Sequence, residues 1–430
     1  MKNIIKKSFI LASVAVMSLS SCQKEYLNPS TGSETQVLTD VNGLVALANG
    51  LPLRYSVGRQ SPGFTVIATG GLTTRELTVL NLGNLDEDQL QRGGSGVDGN
   101  NAVVRNLWSQ LNLIKGNSDL ILNNLNKVND SGIKSGLLAY ATIYRALAIG
   151  TMAQFWQQVT VETAPNAKFV PREETFRQAI SLLESTQTAI ATTPITANFN
   201  ARMVTGLDIT NTINALIARY ALFVGDYPKA IAAANKVMAT SRSSWNFDDV
   251  TRNPIWDVAL ANVNVFQPLS LNMGLPADLA PAVADKRIDF YFLSRTPNAN
   301  GVFRGRGFFT SNSSPIPMYL PGEMALIIAE ANARANNLDA AITALNSVLT
   351  KKTDSWLIGA DLPAYAGART QDAVLIEIYK NRRIELFMSG MALEDSRRFG
   401  RPATERSRTW MPYPNLERDN NTNTPANPAN

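Results

Sequence analysis

Residues 215–238 read ALIARYALFVGDYPKAIAAANKVM, and residues 326–349 read LIIAEANARANNLDAAITALNSVL. The second lies over the first without a gap, pairing Ala218 with Ala329, Ala230 with Ala341, Ile231 with Ile342, Asn235 with Asn346 and Val237 with Val348. Each copy predicts a helix, a tight turn and a second helix. In the first, Gly225 ends one helix, Asp226 caps the next, and Pro228 sits in the first turn, where a missing N–H does no harm. In the second, Asn337 is expected to take the capping role.

The small residues at 218, 230, 329 and 341 let paired helices approach closely, and Gly225, Tyr227 and Ala230 have the spacing of a tetratricopeptide hairpin. The copies stand 111 residues apart, whereas consecutive repeats of that kind recur about every 34 residues. Residues 241–318 are therefore an insertion, rich in Asn, Pro, Gly and aromatic side chains. Long loops carried on a rigid frame are where binding function concentrates.

Helical periodicity runs through the rest of the chain. Leu107, Leu111 and Ile114, then Leu120, Ile121, Leu125 and Val128, recur on one helical face, and similar runs cover 137–156, 172–191, 211–240, 319–351 and 371–399. The expectation is a mainly α protein, with a helical scaffold over about 101–240 and 319–400 and loop-rich segments over about 56–101 and 241–318. The ending NNTNTPANPAN has little apolar content, so a loose tail is expected over about 418–430.

The N-terminus carries Lys2, Lys6 and Lys7, then the apolar run Phe9–Met17, then Leu19-Ser20-Ser21-Cys22. The first 21 residues read as a secretory signal. The four that end at the cysteine resemble the lipobox of bacterial lipoproteins, in which that cysteine is acylated. Cys22 is the only cysteine among 430 residues, so no internal disulfide can form. Acyl chains, at roughly 0.8 kcal/mol per buried methylene, would anchor the body to a membrane without a transmembrane span. Three of the 40 basic residues leave with the signal, and the 37 that remain face 35 acidic ones. That near balance gives no footprint for nucleic acid. Gln23-Lys24-Glu25 is similar to the tether signals that send Bacteroidetes lipoproteins to the outer cell surface.

Several chemistries are excluded. The chain has no histidine, which removes Ser-His-Asp and Cys-His catalysis and ordinary zinc sites. GSGVDG at 94–99 matches a dinucleotide fingerprint by letter, but the charged residues before it cannot form the buried strand the motif needs. DVNGL at 40–44 begins like a calcium loop and lacks its later ligands. No cofactor is expected, although a looser calcium site of oxygen ligands stays open. Asp285 with Asp289, and Glu394 with Asp395, are carboxylate pairs that glycosidase chemistry could use; charged helix surface explains them more simply.

The aromatics of the insertion have two readings, core or sugar platform, because a flat ring stacks on the apolar face of a pyranose. Trp245, Trp256, Tyr291, Phe303 and Phe308 are the candidate ligand-binding residues. Trp108, Trp156 and Trp356 adjoin helical runs and read as packing.

NRRIELFMSGMALEDSRRFG at 381–400 resembles the C-terminal signature of the SusD/RagB-like proteins, nutrient-binding outer-membrane lipoproteins. Arg382, Arg383, Glu385, Leu386, Gly390, Asp395, Arg398 and Gly400 fall where that signature has them. Phe399 stands for its usual tryptophan, Asn381 for a frequent Glu, and Ser389 and Ala392 for an acid and a base whose exposed salt bridge would be dispensable. YLNP at 26–29, GEMALIIAEA at 322–331 and MPYPNLE at 411–417 are similar to the family's other conserved stretches. The resemblance implies one SusD-like domain over 22–430, with tetratricopeptide-type hairpins forming a right-handed helical frame and a loop-rich half packed on it. It also implies an outer-membrane, surface-exposed lipoprotein, not an enzyme, that passes an oligosaccharide or other nutrient to a SusC-like TonB-dependent transporter. The alternatives are a surface glycosidase and a tetratricopeptide scaffold that binds no small ligand.

Overall fold

The computed structural model describes Leu38 and residues 40–429. The signal segment, Cys22 and YLNP lie outside the described residues. The chain runs α1 (Val41–Ser56), α2 (Pro62–Thr73), β1 (Leu77–Val79), α3 (Leu85–Arg92), α4 (Ala102–Asn123), α5 (Ser131–Phe155), β2 (Gln158–Thr160), β3 (Phe169–Pro171), α6 (Arg172–Thr192), α7 (Ala197–Asn200), α8 (Ile209–Phe223), α9 (Tyr227–Ala234) and β4 (Ser244–Trp245). It continues with β5 (Phe266–Pro268), α10 (Arg287–Tyr291), β6 (Ile316–Pro317), α11 (Pro321–Arg334), α12 (Leu338–Leu349), α13 (Gln371–Glu385), α14 (Ala392–Arg398) and α15 (Asn415–Asn420).

Helices dominate, and they stack in order. α4 packs on α5, α5 on α6, α6 on α8, α8 on α9, α9 on α11, and α11 on both α12 and α13. The two aligned copies are α8/α9 and α11/α12, so the hairpins separated in sequence are neighbours in space. Residues 241–318 leave the stack after the first copy and return to begin the second. Ala218, Ala230, Ala329 and Ala341 are all fully buried at these helix contacts. Gly225 turns at φ +75°, and Asn336 takes the equivalent left-handed position at φ +60°, a conformation Asn tolerates better than most residues. Asp226 caps α9 by accepting from the Lys229 N–H, but Asn337 makes no such side-chain bond to α12.

α5 is long and apolar enough to cross a bilayer by length and composition alone, yet 89% of its most apolar stretch is buried inside the protein. It is the central core helix, with α4 and α6 on its flanks. The strands form three two-stranded antiparallel pairs: β1 with β5, β2 with β3, and β4 with β6.

Two expectations need correction, and DVNGL, set aside as a calcium loop, has a structural role. The 56–101 region, expected to be loop-rich, contains α2, and every residue of that helix is buried. Ser61 caps α2 at the Phe64 N–H and Pro62 opens its first turn, a start signal written in the sequence. DVNGL is a helix start, because Asp40 accepts from the N–H groups of Asn42 and Gly43. The tail from 418 is held by amide side chains: Asn421 donates to the Ala167 carbonyl at 3.0 Å, Asn423 to the Asn166 carbonyl at 2.7 Å, and Asn427 accepts from the Tyr413 N–H at 2.9 Å. Just before it, the 411–417 stretch straps the core, with the Trp156 indole donating to the Pro412 carbonyl and the Trp108 indole to Glu417.

The 381–400 stretch builds a buried charge network. Arg382 is fully buried and pairs with Asp395 at 3.0 Å, while Arg398 reaches Glu330 of α11 at 2.7 Å and Asp395 at 2.7 Å. Glu385 receives Arg287 of α10 at 3.1 Å and Lys351, after α12, at 2.5 Å. Arg287 also holds Asp285 at 2.7 Å and donates to Asn381 at 2.8 Å, so Asn381 keeps a neutral hydrogen bond where the signature often has an acid. Arg383 donates to the Met273 carbonyl and the Tyr379 hydroxyl, and its Nε lies 3.6 Å from Glu76. Gly390, at φ +82°, lets the turn after α13 press on α2, since a Cβ there would meet Val66 Cγ1 at 2.2 Å. Ala392 is 2% exposed, so its position is interior and not the exposed site of a dispensable salt bridge. Gly400 closes α14 at φ +61°.

The network makes two predictions. Arg287→Met leaves Asp285 without its guanidinium in a buried site, and urea unfolding should show a loss of about 3–5 kcal/mol; a loss below about 1 kcal/mol would contradict a working network. The second concerns pH. Burial pushes Glu76 up to about 7 against the pull of Arg383, with Asp395 adding to the rise, whereas Arg398 and Arg382 hold Glu330 down to about 2 despite its burial. Between the ordinary glutamate value of about 4.5 and about 7, the folded chain binds the extra Glu76 proton, so that contribution to stability falls as pH rises through this window. Glu330 acts oppositely, and its contribution is lost as pH falls below about 4.5 toward 2. The melting temperature of Glu76→Gln should therefore lose the decline between pH 5 and 7 and keep the acid loss; an unchanged slope between pH 5 and 7 would refute the assignment.

Candidate ligand-binding cleft

Trp245 occupies β4, a strand of two residues that pairs with β6 and places Trp245 opposite Ile316. The Ser244 N–H donates to the Gly206 carbonyl at 2.8 Å, which ties β4 to the loop before α8. The indole stacks on Tyr55 of α1, with ring centroids 4.6 Å apart and planes 9° from parallel. Tyr140 and Tyr144 lie one turn apart on α5, 5.3 Å between centroids. Burial pushes both tyrosine hydroxyls well above their ordinary pKa, so they stay neutral donors.

Trp245, Tyr140 and Tyr144 line an open cleft of about 470 Å³, within the range of small-ligand sites. Its sides come from the end of α1 at Pro52, Leu53 and Ser56, the 203–207 loop, and the 244–251 loop. The rim is polar and preorganised. Asn246 donates to the Thr205 carbonyl at 3.1 Å. Asp248 Oδ1 accepts from the Val250 N–H, the Thr251 N–H and the Thr251 hydroxyl at 2.8, 2.6 and 2.9 Å; the Thr251 N–H is the largest of the contributions that hold this carboxyl below its usual range. An apolar floor bounded by amide, carboxylate and hydroxyl groups suits a ligand with an apolar face and many hydroxyls.

Behind Trp245 lies a second, more enclosed cavity of about 80 Å³, whose walls include Tyr55, Thr151, Gln154, Tyr291 and Phe308. Arg219 and Glu323 face it as a bidentate pair at 2.6 and 2.8 Å. Trp245 walls both spaces.

The five sequence candidates do not form one platform. Trp245 alone reaches the cleft. Tyr291 is 1% exposed and donates its hydroxyl to the Glu385 carbonyl at 2.6 Å; its ring packs edge-on to Phe290, Phe308 and Phe387. Phe308 is half-buried, edge-on to Trp356 at 5.7 Å, and Phe303 meets Phe292 at 6.1 Å. Trp256 sits half-buried at the start of a π-helical turn, its backbone N–H bonded to Asn253. An exposed sugar platform on Tyr291 is thus corrected to an aromatic core. Trp108, Trp156 and Trp356 are buried, as expected. Tyr55, Tyr140 and Tyr144 were not anticipated, because helical spacing gives them the same signature as core residues.

The carboxylate pairs are taken up by arginine. Asp285 holds Arg287 and Asp289 holds Arg295 at 2.5 Å; Glu394 meets Arg172 at 2.7 Å and Asp395 meets Arg382. Asp285, Glu394 and Asp395 are buried, so the helix-surface explanation is replaced by interior ion pairs. Among the described residues, no group of three or more acidic side chains gathers to hold a metal ion.

Residues 309–429 match the model of the SusD family. Over that stretch the sequence is SusD/RagB-like. Its fold is that of a SusD superfamily protein from Bacteroides fragilis (TM-score 0.68, 15% identity, 90% of this chain and 99% of that one). It is equally similar to a putative sugar binding protein from Bacteroides vulgatus (TM-score 0.69, 14% identity, 91% and 98%) and to a laminarin-binding SusD-like protein (TM-score 0.65, 15% identity, 90% and 98%). No curated protein matches the chain by sequence. At these identities the likeness establishes the fold, and SusD-like chains with quite different side chains share it.

Proposed function

We propose that this SusD-like chain binds a glycan in the Trp245 cleft and is a receptor, not a catalyst. The observation that carries the reading is the cleft itself: a stacked indole on a rigid helical floor, with amide, carboxylate and hydroxyl groups fixed around it. Similar folds described as sugar-binding and laminarin-binding support the ligand class. The engagement of the candidate carboxylate pairs by arginine speaks against glycosidase chemistry, which needs one acid free to give a proton and another free to attack or activate water.

The N-terminal sequence extends the proposal. Cys22 is the site of acylation, the anchor holds the protein on the outer membrane facing outward, and a SusC-like TonB-dependent transporter receives the captured glycan. The charge balance beyond residue 21 supports no nucleic-acid partner.

Calorimetry against a panel of oligosaccharides should find at least one ligand, and Trp245→Ala should weaken it about tenfold or more, in keeping with about 1.5 kcal/mol or more for a lost aromatic contact. Trp256→Ala should leave affinity within about twofold. Equal affinity of wild type and Trp245→Ala would remove the site. In fractionated cells expressing the full chain, Cys22→Ala should move the protein from membrane to soluble fractions; unchanged membrane association would overturn the anchor.

A further inference from the structure

Beside the Trp245 cleft the surface is hollowed twice more, and neighbouring hollows share walls. Leu53 of α1 lines the cleft and also a second open hollow of about 370 Å³. Gln60, in the turn between α1 and α2, lines that second hollow and also a third, of about 430 Å³. The helices set these spaces in series. Pro52, Leu53 and Ser56 of α1 face the cleft, whereas Gly50, Leu53, Arg54 and Val57, the adjoining stripe of the same helix, wall the second hollow. On α4, Gln110 walls the second hollow, and Asn106, Val103 and Ala102 wall the third. Those four α4 residues recur on one helical face, so one helix runs beneath both hollows for about 12 Å at 1.5 Å per residue.

The path has the chemistry of a chain of hydroxylated rings. Leu53, 41% exposed, is an apolar ridge between the cleft and the second hollow. Beyond it the available groups are neutral amides. Gln110 accepts from Arg54 at 3.2 Å and keeps its amide N–H groups for other partners. The side-chain amides of Gln60 and Asn106 make no hydrogen bond among the described residues, and Gln60 is exposed. In the third hollow the charge of Arg59 is already matched, by Glu87 at 2.6 Å, and its guanidinium donates to Asn84 at 3.0 Å. Amides both donate and accept, which suits hydroxyls, and an exposed leucine suits the apolar face of a sugar ring. A ligand confined to the Trp245 cleft would leave this path unused.

We propose that the site takes a linear oligosaccharide chain, with one ring against Trp245 and the following rings crossing Leu53 into the hollows at Gln110 and Asn106. This rests on the glycan reading of the cleft, and adds chain length as a property the site selects. Gln60 and Asn106 are the positions that read the added rings.

Calorimetry with the purified protein tests it, using ladders from disaccharide to octasaccharide of β-1,3-glucan, β-1,4-mannan, β-1,4-xylan and α-1,4-glucan. In at least one ladder the octasaccharide should bind about tenfold or more tighter than the disaccharide, the gain expected of one or two further net hydrogen bonds. A longer chain also offers more registers to a single short site, so the ratio must depend on the path. The double variant Gln60→Ala with Asn106→Ala should remove most of it; neither amide bonds to the protein, so the fold should be kept. A ladder that binds and depends on Trp245, but shows no gain with length or an unchanged gain in the double variant, would overturn the chain proposal and leave the glycan reading standing. No binding at any length in any ladder would overturn both.

Discussion

Buried arginine and carboxylate pairs bind this fold together. Arg287, Arg382, Arg383 and Arg398 sit in the interior, and a buried guanidinium is tolerable only when its partners are in place. Those partners come from distant parts of the chain: Glu76 beside β1, Asp285 in the insertion and Glu330 on α11, while Lys351 after α12 joins Arg287 in matching Glu385. The loop half and the helical frame are therefore joined by charge matching as well as by apolar packing. A shift of either half would strand ions in a medium of low dielectric.

The consequence for function is mechanical. The insertion contains little regular structure of its own, yet it emerges between α9 and α11, which pack together, and is pinned through Arg287 to α13. The same chain that carries the ion pairs carries Trp245, whose ring rests on Tyr55 of α1 and beside α5, a largely buried helix. The cleft is thus formed by loops whose bases are held by rigid elements. Such positioning is what a recognition site needs when affinity depends on ring stacking and a few directed polar groups.

Much of the frame could be read from residue chemistry. Gly225, Asp226 and Pro228 announce a turn and a helix start, and the alanines at 218, 230, 329 and 341 announce close packing. The burial of Arg382, Arg383 and Glu385 could not be read that way, because a charged residue in a helical run looks like solvated surface until its partner, up to about three hundred positions away, is known. The tail misled for a related reason: Asn421, Asn423 and Asn427 carry no apolar signal, and their order comes from side-chain amide hydrogen bonds with residues 166, 167 and 413. For the site, Trp245 stood out as an aromatic in non-helical sequence, but so did Tyr291, which proved to be core. Nothing in the helical spacing of Tyr140 and Tyr144 distinguishes a cleft floor from an interior contact.

The account stands or falls on where a ligand rests. A crystal structure of the protein soaked with an oligosaccharide that it binds in solution should place a sugar ring against the Trp245 indole, between the Thr205 loop and the Asp248 turn, with the helical frame unmoved. A sugar ordered elsewhere, on the Trp256 turn or along the hairpins, with the Trp245 cleft unoccupied, would contradict it.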